Sequence, residues 1–162
     1  MKKKSTPKLN LSLAERKNLR KAKIRISEIL DLAADELEVI LDVSSDRVKT
    51  LFALPEFQTV PSVGIKFAED LIFLGYHLLE ELKLKDGAKL LDKYERKKGH
   101  WTDPCAEDQF RLIVDFAKNP EINKNWWDYT EARKKYRAEN GYPSDRPKKA
   151  WHEVIQIKKT QL

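Results

Sequence analysis

The sequence predicts an all-α protein, a compact bundle of short helices. Helix start and stop signals recur along the chain, and between them apolar residues return every three or four positions, the period of one buried helix face. No segment shows the strict apolar and polar alternation of a half-buried strand. The 162 residues are 36% charged and 41% hydrophobic with only 5 Gly, a composition typical of a helix-rich globular protein.

The first helix is predicted to begin at Ser12. Glu15 follows three residues later, which gives the capping-box pattern, and Leu11 precedes it as a candidate hydrophobic staple. The segment after Ser12 is rich in Lys and Arg, so this helix is basic.

Two further helix starts lie in the next thirty residues. Asp35 opens the segment "DELEVIL", and Ser44 or Ser45 opens "SDRVKTLFAL", which is predicted to end at Pro55. These helices are short and are joined by tight turns.

The middle of the chain predicts three more helical segments. In "IKFAEDLIFL" the apolar residues share one face and Gly75 is a candidate C-cap. "LLEEL" is a short helical piece, and "DGAKLLDKYERKKG" is a helix closed by Gly99.

The last third predicts a core helix and two terminal helices. Asp103 caps a helix with Pro104 at its first position, and the helix continues through "AEDQFRLIVDFAKN". Its apolar face is formed by Phe110, Ile113, Val114 and Ala117. "WWDYTEARKKYRAENG" is predicted to end at Gly141, and a final helix is predicted around residues 151–157.

Charge is segregated along the chain. Residues 1–26 carry ten Lys and Arg against one Glu, residues 27–92 carry six against fourteen Asp and Glu, and residues 93–162 carry sixteen against eleven. Basic ends around an acidic middle indicate either a nucleic-acid footprint or an ordinary solvated surface.

The stretch Val60-Pro61-Ser62-Val63-Gly64, followed by Lys66 and Ala68, resembles a helix-hairpin-helix turn. Pro61 fixes φ, Val63 is apolar enough to enter the core, and Gly64 has no side chain. The helix that follows begins with free N–H groups, which suit a phosphate, and Lys66 adds a charge in its first turn. Familiar hairpins of this kind have two glycines, whereas Ser62 stands at the first position.

A weaker copy of this turn lies twenty residues upstream. Val43 aligns with Val63, and Ser44 then aligns with Gly64, so "LDVSSDRVKTL" is a possible degenerate first hairpin. A chance match between two short helical segments is the alternative. The predicted organisation is a flexible basic tail over residues 1–10, a helix-hairpin-helix domain over 11–120, and an aromatic and basic helical extension over 121–162 packed on it.

Three segments together resemble the bacterial pathogenicity-locus family, whose members are also labelled mitomycin-resistance or helix-hairpin-helix proteins. They are "FQTVPSVGIKFAEDLIFLGYHLLEELK", "DPCAEDQFRLIVDFA" and the pair Trp126-Trp127 followed by Asp128, and the resemblance extends from about Leu19 to Trp151. It implies an all-helical fold and a DNA-related role linked to damaged DNA. In the helix-hairpin-helix family the turn grips the DNA backbone, sometimes with a monovalent cation.

The segment "GHWTDPCAED" gathers side chains of the kinds that bind metal or act as nucleophiles: His100, Asp103, Cys105, Glu107 and Asp108. One Cys and one nearby His are too few for a structural zinc site, and no oxyanion elbow, Walker loop or dinucleotide fingerprint is present. Cys105 is therefore predicted to be a small core hydrophobe. We predict that the chain has no metal, no cofactor and no enzymatic activity.

The chain is expected to be cytoplasmic. No apolar run is long enough to span a bilayer, the lysines after Met1 are not followed by a hydrophobic signal core, and Cys105 has no second Cys with which to pair.

The sequence therefore predicts a protein that binds the DNA backbone with low sequence specificity. The residues predicted to bind are Val63, Gly64, Ile65 and Lys66 in the hairpin and Arg16, Arg20 and Lys23 in the basic helix. The sequence does not distinguish double-stranded from single-stranded DNA as the ligand, and a DNA-bound protein is a further candidate partner. The alternative is a protein-interaction module in which the hairpins are only scaffold. The oligomeric state is left open.

A second candidate surface for single-stranded nucleic acid lies in the extension. Aromatic and basic side chains alternate there, a mixture that allows base stacking together with phosphate contact. The residues are Trp126, Trp127, Tyr129 and Tyr136 with Lys124, Arg133, Lys134, Lys135 and Arg137. Anchoring of a terminal helix to the core is the competing interpretation.

Overall fold

The computed structural model describes residues 6–160, except for the side chains of residues 157 and 158. Over this range the chain is all-helical, and its one β-bridge is an isolated pairing of Trp101 with Ala150. The predicted all-α fold class is therefore confirmed.

The described residues form eight α-helices and three short 3-10 helices. The α-helices are α1 (Leu13–Lys21), α2 (Ala34–Leu41), α3 (Ser45–Phe57), α4 (Ile65–Phe73), α5 (Gly87–Lys98), α6 (Cys105–Lys118), α7 (Thr130–Asn140) and α8 (Trp151–Thr160). The 3-10 helices are Ile26–Asp31, Leu79–Leu82 and Trp126–Tyr129. The predicted helical piece "LLEEL" is thus a single 3-10 segment.

The described chain divides into two compact units. The first unit comprises residues 6–59 and Gly64–Leu78, and the second comprises Val60–Val63 and residues 79–160. The sequence predicted domain boundaries at residues 10 and 120, whereas the two units meet along the chain at Leu78. The predicted domains stay predictions.

Helix α1 of the first unit begins where the sequence indicated, but its capping box is incomplete. The Ser12 hydroxyl accepts a hydrogen bond from the Glu15 N–H at 3.1 Å. The Glu15 side chain does not return to Ser12. It is buried and accepts two hydrogen bonds from the Arg47 guanidinium, each 3.0 Å long. The long-range ion pair therefore replaces the local cap contact that the sequence predicted.

The next two helices differ from the prediction at their ends. Helix α2 starts at Ala34 with Ala33 as its N-cap, so Asp35 lies inside the first turn and is not the cap. Helix α3 is capped by Ser44, whose hydroxyl accepts from the Arg47 N–H at 3.2 Å. It continues through Pro55 to Phe57, because both of these side chains are buried and their packing outweighs the lost backbone hydrogen bond.

The first unit has an aliphatic core that includes residues near the start of the chain. Its buried members include Leu11, Leu19, Ile29, Leu37, Leu41, Val48 and Leu51. The Gln58 side-chain amide pairs with the Lys8 backbone, at 2.9 Å to the Lys8 nitrogen and 2.8 Å to its oxygen. Lys8 is therefore held on this unit, although the sequence placed it in a flexible tail over 1–10. Residues 1–5 of that tail lie outside the described residues.

Helix α5 of the second unit starts and stops as predicted, whereas α6 begins one residue later than predicted, at Cys105 with Pro104 as its N-cap. Asp86 caps α5 by accepting from the Lys89 N–H at 3.0 Å, and Gly99 ends it with a φ of 78°. The Asp103 carboxylate accepts from the Cys105 N–H at 2.8 Å at the start of α6. The predicted core positions of α6, which are Phe110, Ile113, Val114 and Ala117, are all buried.

The last two helices also follow the sequence. Helix α7 continues from the 3-10 helix Trp126–Tyr129 and ends at Gly141, which has a φ of 66°. Helix α8 begins directly after the bridge at Ala150 and extends three residues beyond the predicted end at 157.

Candidate functional site

Helix α4 begins at an exposed backbone without a side-chain cap. Its N-cap is Gly64, which cannot supply one, and no acidic residue lies in its first turn. Lys66 is exposed in that turn, Ile65 is half-buried, and the Val63 side chain before them is buried. The backbone amides of Ile65 and Lys66 and the Lys66 side chain are therefore available to an anion, whereas Val63 holds the turn in place.

Neither the backbone nor the packing around Gly64 requires a glycine. Its φ is −100° and its ψ is −177°, an extended conformation that any residue adopts. A Cβ added at this position would have nothing within 4 Å. The conformational freedom that the sequence assigned to Gly64 is thus not used, and its remaining property is the open approach to the backbone.

The positive φ of the turn lies instead at Ser62, with a value of 62°. The Ser62 hydroxyl donates to the Pro61 carbonyl at 2.6 Å and accepts from the Trp126 N–H at 3.0 Å. This left-handed conformation costs about 1–2 kcal/mol for a residue with a Cβ. Ser62 therefore occupies the place where familiar hairpins have their first glycine, and two hydrogen bonds hold it there.

The turn before α3 repeats the backbone pattern of the turn before α4. In residues 42–44 and in residues 62–64, a residue with positive φ is followed by Val and then by an extended N-cap. The first φ is 55° at Asp42 and 62° at Ser62. The two turns differ at the cap, because Ser44 satisfies its own helix start with its hydroxyl. This likeness supports the predicted degenerate copy, which as a second helix-hairpin-helix stays a prediction.

The basic helix α1 is also followed by a residue with positive φ. Lys23 has a φ of 59°, its N–H donates to the Arg20 carbonyl, and the Ile24 N–H donates to the Leu19 carbonyl, each at 3.0 Å. This is the Schellman pattern, in which an apolar residue follows the left-handed one. The predicted phosphate-binding residue Lys23 is thus also the residue that ends α1.

Arg16 and Arg20 are exposed beside a cleft of 190 Å³. Its other lining residues are Leu19, Ile24 and Ile26. The sequence analysis singled out the two arginines but not the cleft. The signal that could have indicated it is the placement of isoleucines between cations in "KAKIRI".

The arginines of the described chain divide by whether they pair with a carboxylate. Six of the nine lie within 4 Å of one, namely Arg47, Arg96, Arg111, Arg133, Arg137 and Arg146. Arg16, Arg20 and Arg25 form no such pair with the residues that the structure describes. The unpaired arginines are therefore concentrated in and directly after α1.

The predicted binding residues consequently form two groups. Residues 64–66 lie at the start of α4. Arg16 and Arg20 lie within α1, and Lys23 lies two residues after its end. Val63 takes part only by packing, since its side chain is 7% exposed.

The aromatic and basic extension uses two of its arginines internally. Arg133 donates to the Asp108 carboxylate at 2.8 Å, and Arg137 donates to Glu107 at 2.6 Å and to Asp92 at 3.0 Å. Burial lowers the pKa of each arginine, but the hydrogen bonds and charges of these carboxylates outweigh it and raise the pKa. Arg133 and Arg137 are therefore not free to contact phosphate.

The aromatic residues of the extension are also largely occupied. The Tyr129 hydroxyl donates to Asp115 at 2.8 Å, and the guanidinium carbons of Arg111 and Arg137 lie 5.0 Å and 5.4 Å from the centroid of the Tyr136 ring. Trp127 is an exception with 54% of its surface exposed. The interpretation as an anchored helix accounts for most of these residues.

The polar cluster after His100 is built from structural contacts. Glu107 and Asp108 are fully buried in ion pairs, and the Asp103 carboxylate accepts a hydrogen bond from the Cys105 N–H at the start of α6. Within residues 6–160 no group of three His, Cys, Asp or Glu side chains is placed to hold a metal. Cys105 is half-buried, not enclosed in the core as predicted, and burial together with Asp103 raises the pKa of its thiol.

No helix in the described part of the chain is both long and apolar enough to cross a membrane. Comparison with known proteins gave one match. The family model described as "Pathogenicity locus" matches residues 51–135, which include the turn before α4 but not α1. No curated protein and no solved structure matches. Since this match covers just over half of the chain, the chain belongs to the pathogenicity-locus family.

Proposed function

We propose that this chain binds the phosphate backbone of DNA without reading its sequence. The observation that supports the proposal is the glycine at the start of α4, which neither its φ nor its surroundings require. A glycine there leaves room for a group from outside the chain to reach the first amides of the helix.

The charges at this helix start fit an anion. The first N–H groups of an α-helix lack intrahelical partners and carry about half a positive charge together. Helices commonly place Asp or Glu in this turn, but α4 has none there and carries Lys66 instead. A cation at that end is unfavourable to an isolated helix, and a bound phosphate removes the penalty.

The basic α1 supplies a second contact of the same sign. Arg16 and Arg20 lie four residues apart on one helix face, and neither pairs with a carboxylate of residues 6–160. Unpaired cations of this kind release counterions when they neutralise phosphates, which makes binding strong at low salt and independent of sequence.

The test replaces Gly64 with serine. Gly64→Ser converts the start of α4 to the arrangement at α3, where Ser44 caps its own helix with its hydroxyl. Serine is as good an N-cap as glycine or better, so the free energy of unfolding should not fall. The new hydroxyl should occupy the amides and weaken duplex DNA binding about tenfold in a fluorescence-anisotropy titration.

The matched control is Ser44→Gly, which uncaps α3 without touching α4. It should leave DNA affinity within about a factor of two while costing a few tenths of a kcal/mol of stability. Affinity should also fall steeply as salt rises. Equal DNA binding by Gly64→Ser and the wild type, or binding that ignores salt, would exclude phosphate contact at α4.

A second candidate function is supported by an apolar groove in the first unit. The groove has a volume of 280 Å³, with Val48, Phe52 and Ala53 among its lining and Glu38 and Glu56 also on it. A cavity of this size accepts one or two apolar side chains. Lys49 also lines the groove, but residues 27–92 carry fourteen Asp and Glu against six Lys and Arg, which favours a partner with flanking basic residues.

This alternative predicts binding of a basic amphipathic peptide in place of DNA. Ala34→Trp would fill part of the groove, since Ala34 lines it and is exposed at the first turn of α2. Loss of peptide binding in this variant, together with no DNA binding by the wild type at low salt, would favour the protein-interaction module.

A further inference from the structure

We propose that the cleft beside α1 receives one unpaired base of a nucleic-acid strand, while Arg16 and Arg20 contact the neighbouring phosphates. This inference rests on the proposed function in taking nucleic acid as the ligand. It uses a surface separate from Gly64 and Lys66, so the two can fail independently.

The size and lining of the cleft suit a single aromatic ring system. Its volume is 190 Å³, and an apolar cavity of about 150 Å³ is enough to hold a benzene molecule. Leu19 is buried beneath it, Ile24 is half-buried, and Ile26 is 42% exposed at its side. These aliphatic groups offer an apolar contact surface to the faces of a base.

The two arginines provide the polar half of the site. They lie four residues apart on α1, and both line the cleft. Like charges at this spacing repel by about 0.2–0.5 kcal/mol, and neither guanidinium group has a described carboxylate within 4 Å. A guanidinium group can donate two parallel hydrogen bonds to one phosphate group, and it can also stack on a base. The two arginines can therefore contact both the phosphate and the base at this cleft.

The ligand must present a base outside a helical stack. Bases in a continuous duplex are paired and stacked, so their faces cannot enter a cleft on a protein surface. A bulge, a flap, a gap or a single strand presents such a base without the cost of unpairing it. The chain should therefore prefer these structures to an uninterrupted duplex.

The experiment compares two DNA ligands that differ by one nucleotide. One is an uninterrupted duplex, and the other carries a single bulged aminopurine, a fluorescent adenine analogue that reports on its own stacking. The full chain should bind the bulged duplex about tenfold more tightly and change the aminopurine fluorescence.

The variant that tests the cleft is Ile26→Trp, which fills it without changing the charge. Leu13→Trp is the matched control, because Leu13 is also an apolar residue of this region, is 84% exposed and does not line the cleft. Ile26→Trp should remove the preference for the bulge and leave duplex affinity unchanged, whereas Leu13→Trp should preserve the preference. Circular dichroism checks that both variants remain helical.

The outcomes separate this inference from the proposed function. Equal affinity for the two duplexes, or a preference that survives Ile26→Trp, overturns the base-binding cleft and leaves phosphate binding at α4 intact. A bulge preference that persists in Gly64→Ser supports the cleft on its own. Binding to vesicles of anionic lipid that requires Arg16, with no preference for the bulged DNA, assigns the cleft to a membrane surface and overturns the inference.

Discussion

The hydroxyl oxygen of Ser62 accepts a hydrogen bond from the backbone N–H of Trp126, with 3.0 Å between the two heavy atoms. The residues are 64 positions apart in the sequence. Ser62 has a φ of 62°, a left-handed conformation that is unfavourable for a residue with a Cβ, and the hydrogen bond stabilises it there. The structure thus gives the serine in the turn a tertiary role that a glycine could not fill.

Two substitutions at Ser62 should separate the hydrogen bond from the backbone strain. Ser62→Ala removes the bond and keeps the strain, so it should lower the free energy of unfolding by about 1 kcal/mol. Ser62→Gly removes both, and the relief of about 1–2 kcal/mol should bring the stability back to or above that of the wild type. Urea unfolding measures both variants. Equal stabilities for the alanine and glycine variants would contradict the left-handed conformation.

Gly87 at the start of α5 has no room for a side chain. A Cβ there would lie 2.7 Å from the Arg111 Cα and 2.8 Å from the Arg111 nitrogen, and both are backbone atoms of α6. Gly87→Ala should therefore force α5 and α6 apart and cost about 1–3 kcal/mol in thermal or urea unfolding. Gly64→Ala is the control, since the space around Gly64 is open, and it should change stability by no more than about 0.5 kcal/mol.

The ion pair between Arg133 and Asp108 should matter more to stability than an exposed pair on the same helix. Asp108 is fully buried and accepts from Arg133 at 2.8 Å. Arg133→Met leaves the charge of Asp108 without its ion-pair partner, and it should lower the free energy of unfolding by about 3–5 kcal/mol. Lys134→Met, which removes a 3.7 Å contact between exposed side chains, should cost less than about 1 kcal/mol.

A double variant checks the cause of that loss. Replacing Asp108 with leucine together with Arg133→Met removes the buried charge as well as its partner, so part of the stability should return. If the double variant is as unstable as the sum of the single ones, the loss arises from packing and not from the unpaired carboxylate.

The local signals in the sequence predicted most of the fold. Caps and stop signals act through the backbone of their own segment, so they could be identified from the sequence. The helix ends found as expected are those at Ser12, Ser44, Asp86, Gly99 and Gly141. Errors arose where distant contacts decided the outcome.

Two residues illustrate the long-range effects. Glu15 fits a local capping box but pairs with Arg47, 32 residues away. Pro55 lacks a backbone N–H and was predicted to end its helix, yet α3 continues to Phe57 because the side chains of Pro55 and Phe57 are buried. Neither result follows from residues within one turn of the position concerned.

The candidate site was predictable only in part, for the same reason. Gly64, Lys66, Arg16 and Arg20 follow from motif and charge, and the structure leaves all four exposed. The cleft was not predicted, because its lining residues meet only where the chain turns after α1. The isoleucines between the cations of "KAKIRI" were its one sequence signal. In the extension, the sequence left Arg133 either available to phosphate or used to anchor the helix, and Asp108 binds it inside the second unit.

Tyr129 should make the protein lose stability at alkaline pH. Burial, followed by the hydrogen bond to Asp115 and the nearby negative charge, raises its pKa well above the usual value of 10.0. Once the pH exceeds 10.0, the unfolded chain releases the phenol proton while the folded chain retains it. The unfolded state then binds fewer protons than the folded state, so the free energy of unfolding falls as the pH rises toward the folded pKa.

The variant Tyr129→Phe isolates this contribution. It lacks the hydroxyl, so it should be less stable than the wild type by about 1 kcal/mol at pH values near neutrality, where the hydrogen bond at 2.8 Å is intact. Its stability should then decline less steeply above the usual tyrosine pKa, so that the two curves converge or cross. Urea unfolding at a series of alkaline pH values measures both slopes. Parallel curves would show that the hydroxyl of Tyr129 titrates normally in the folded protein.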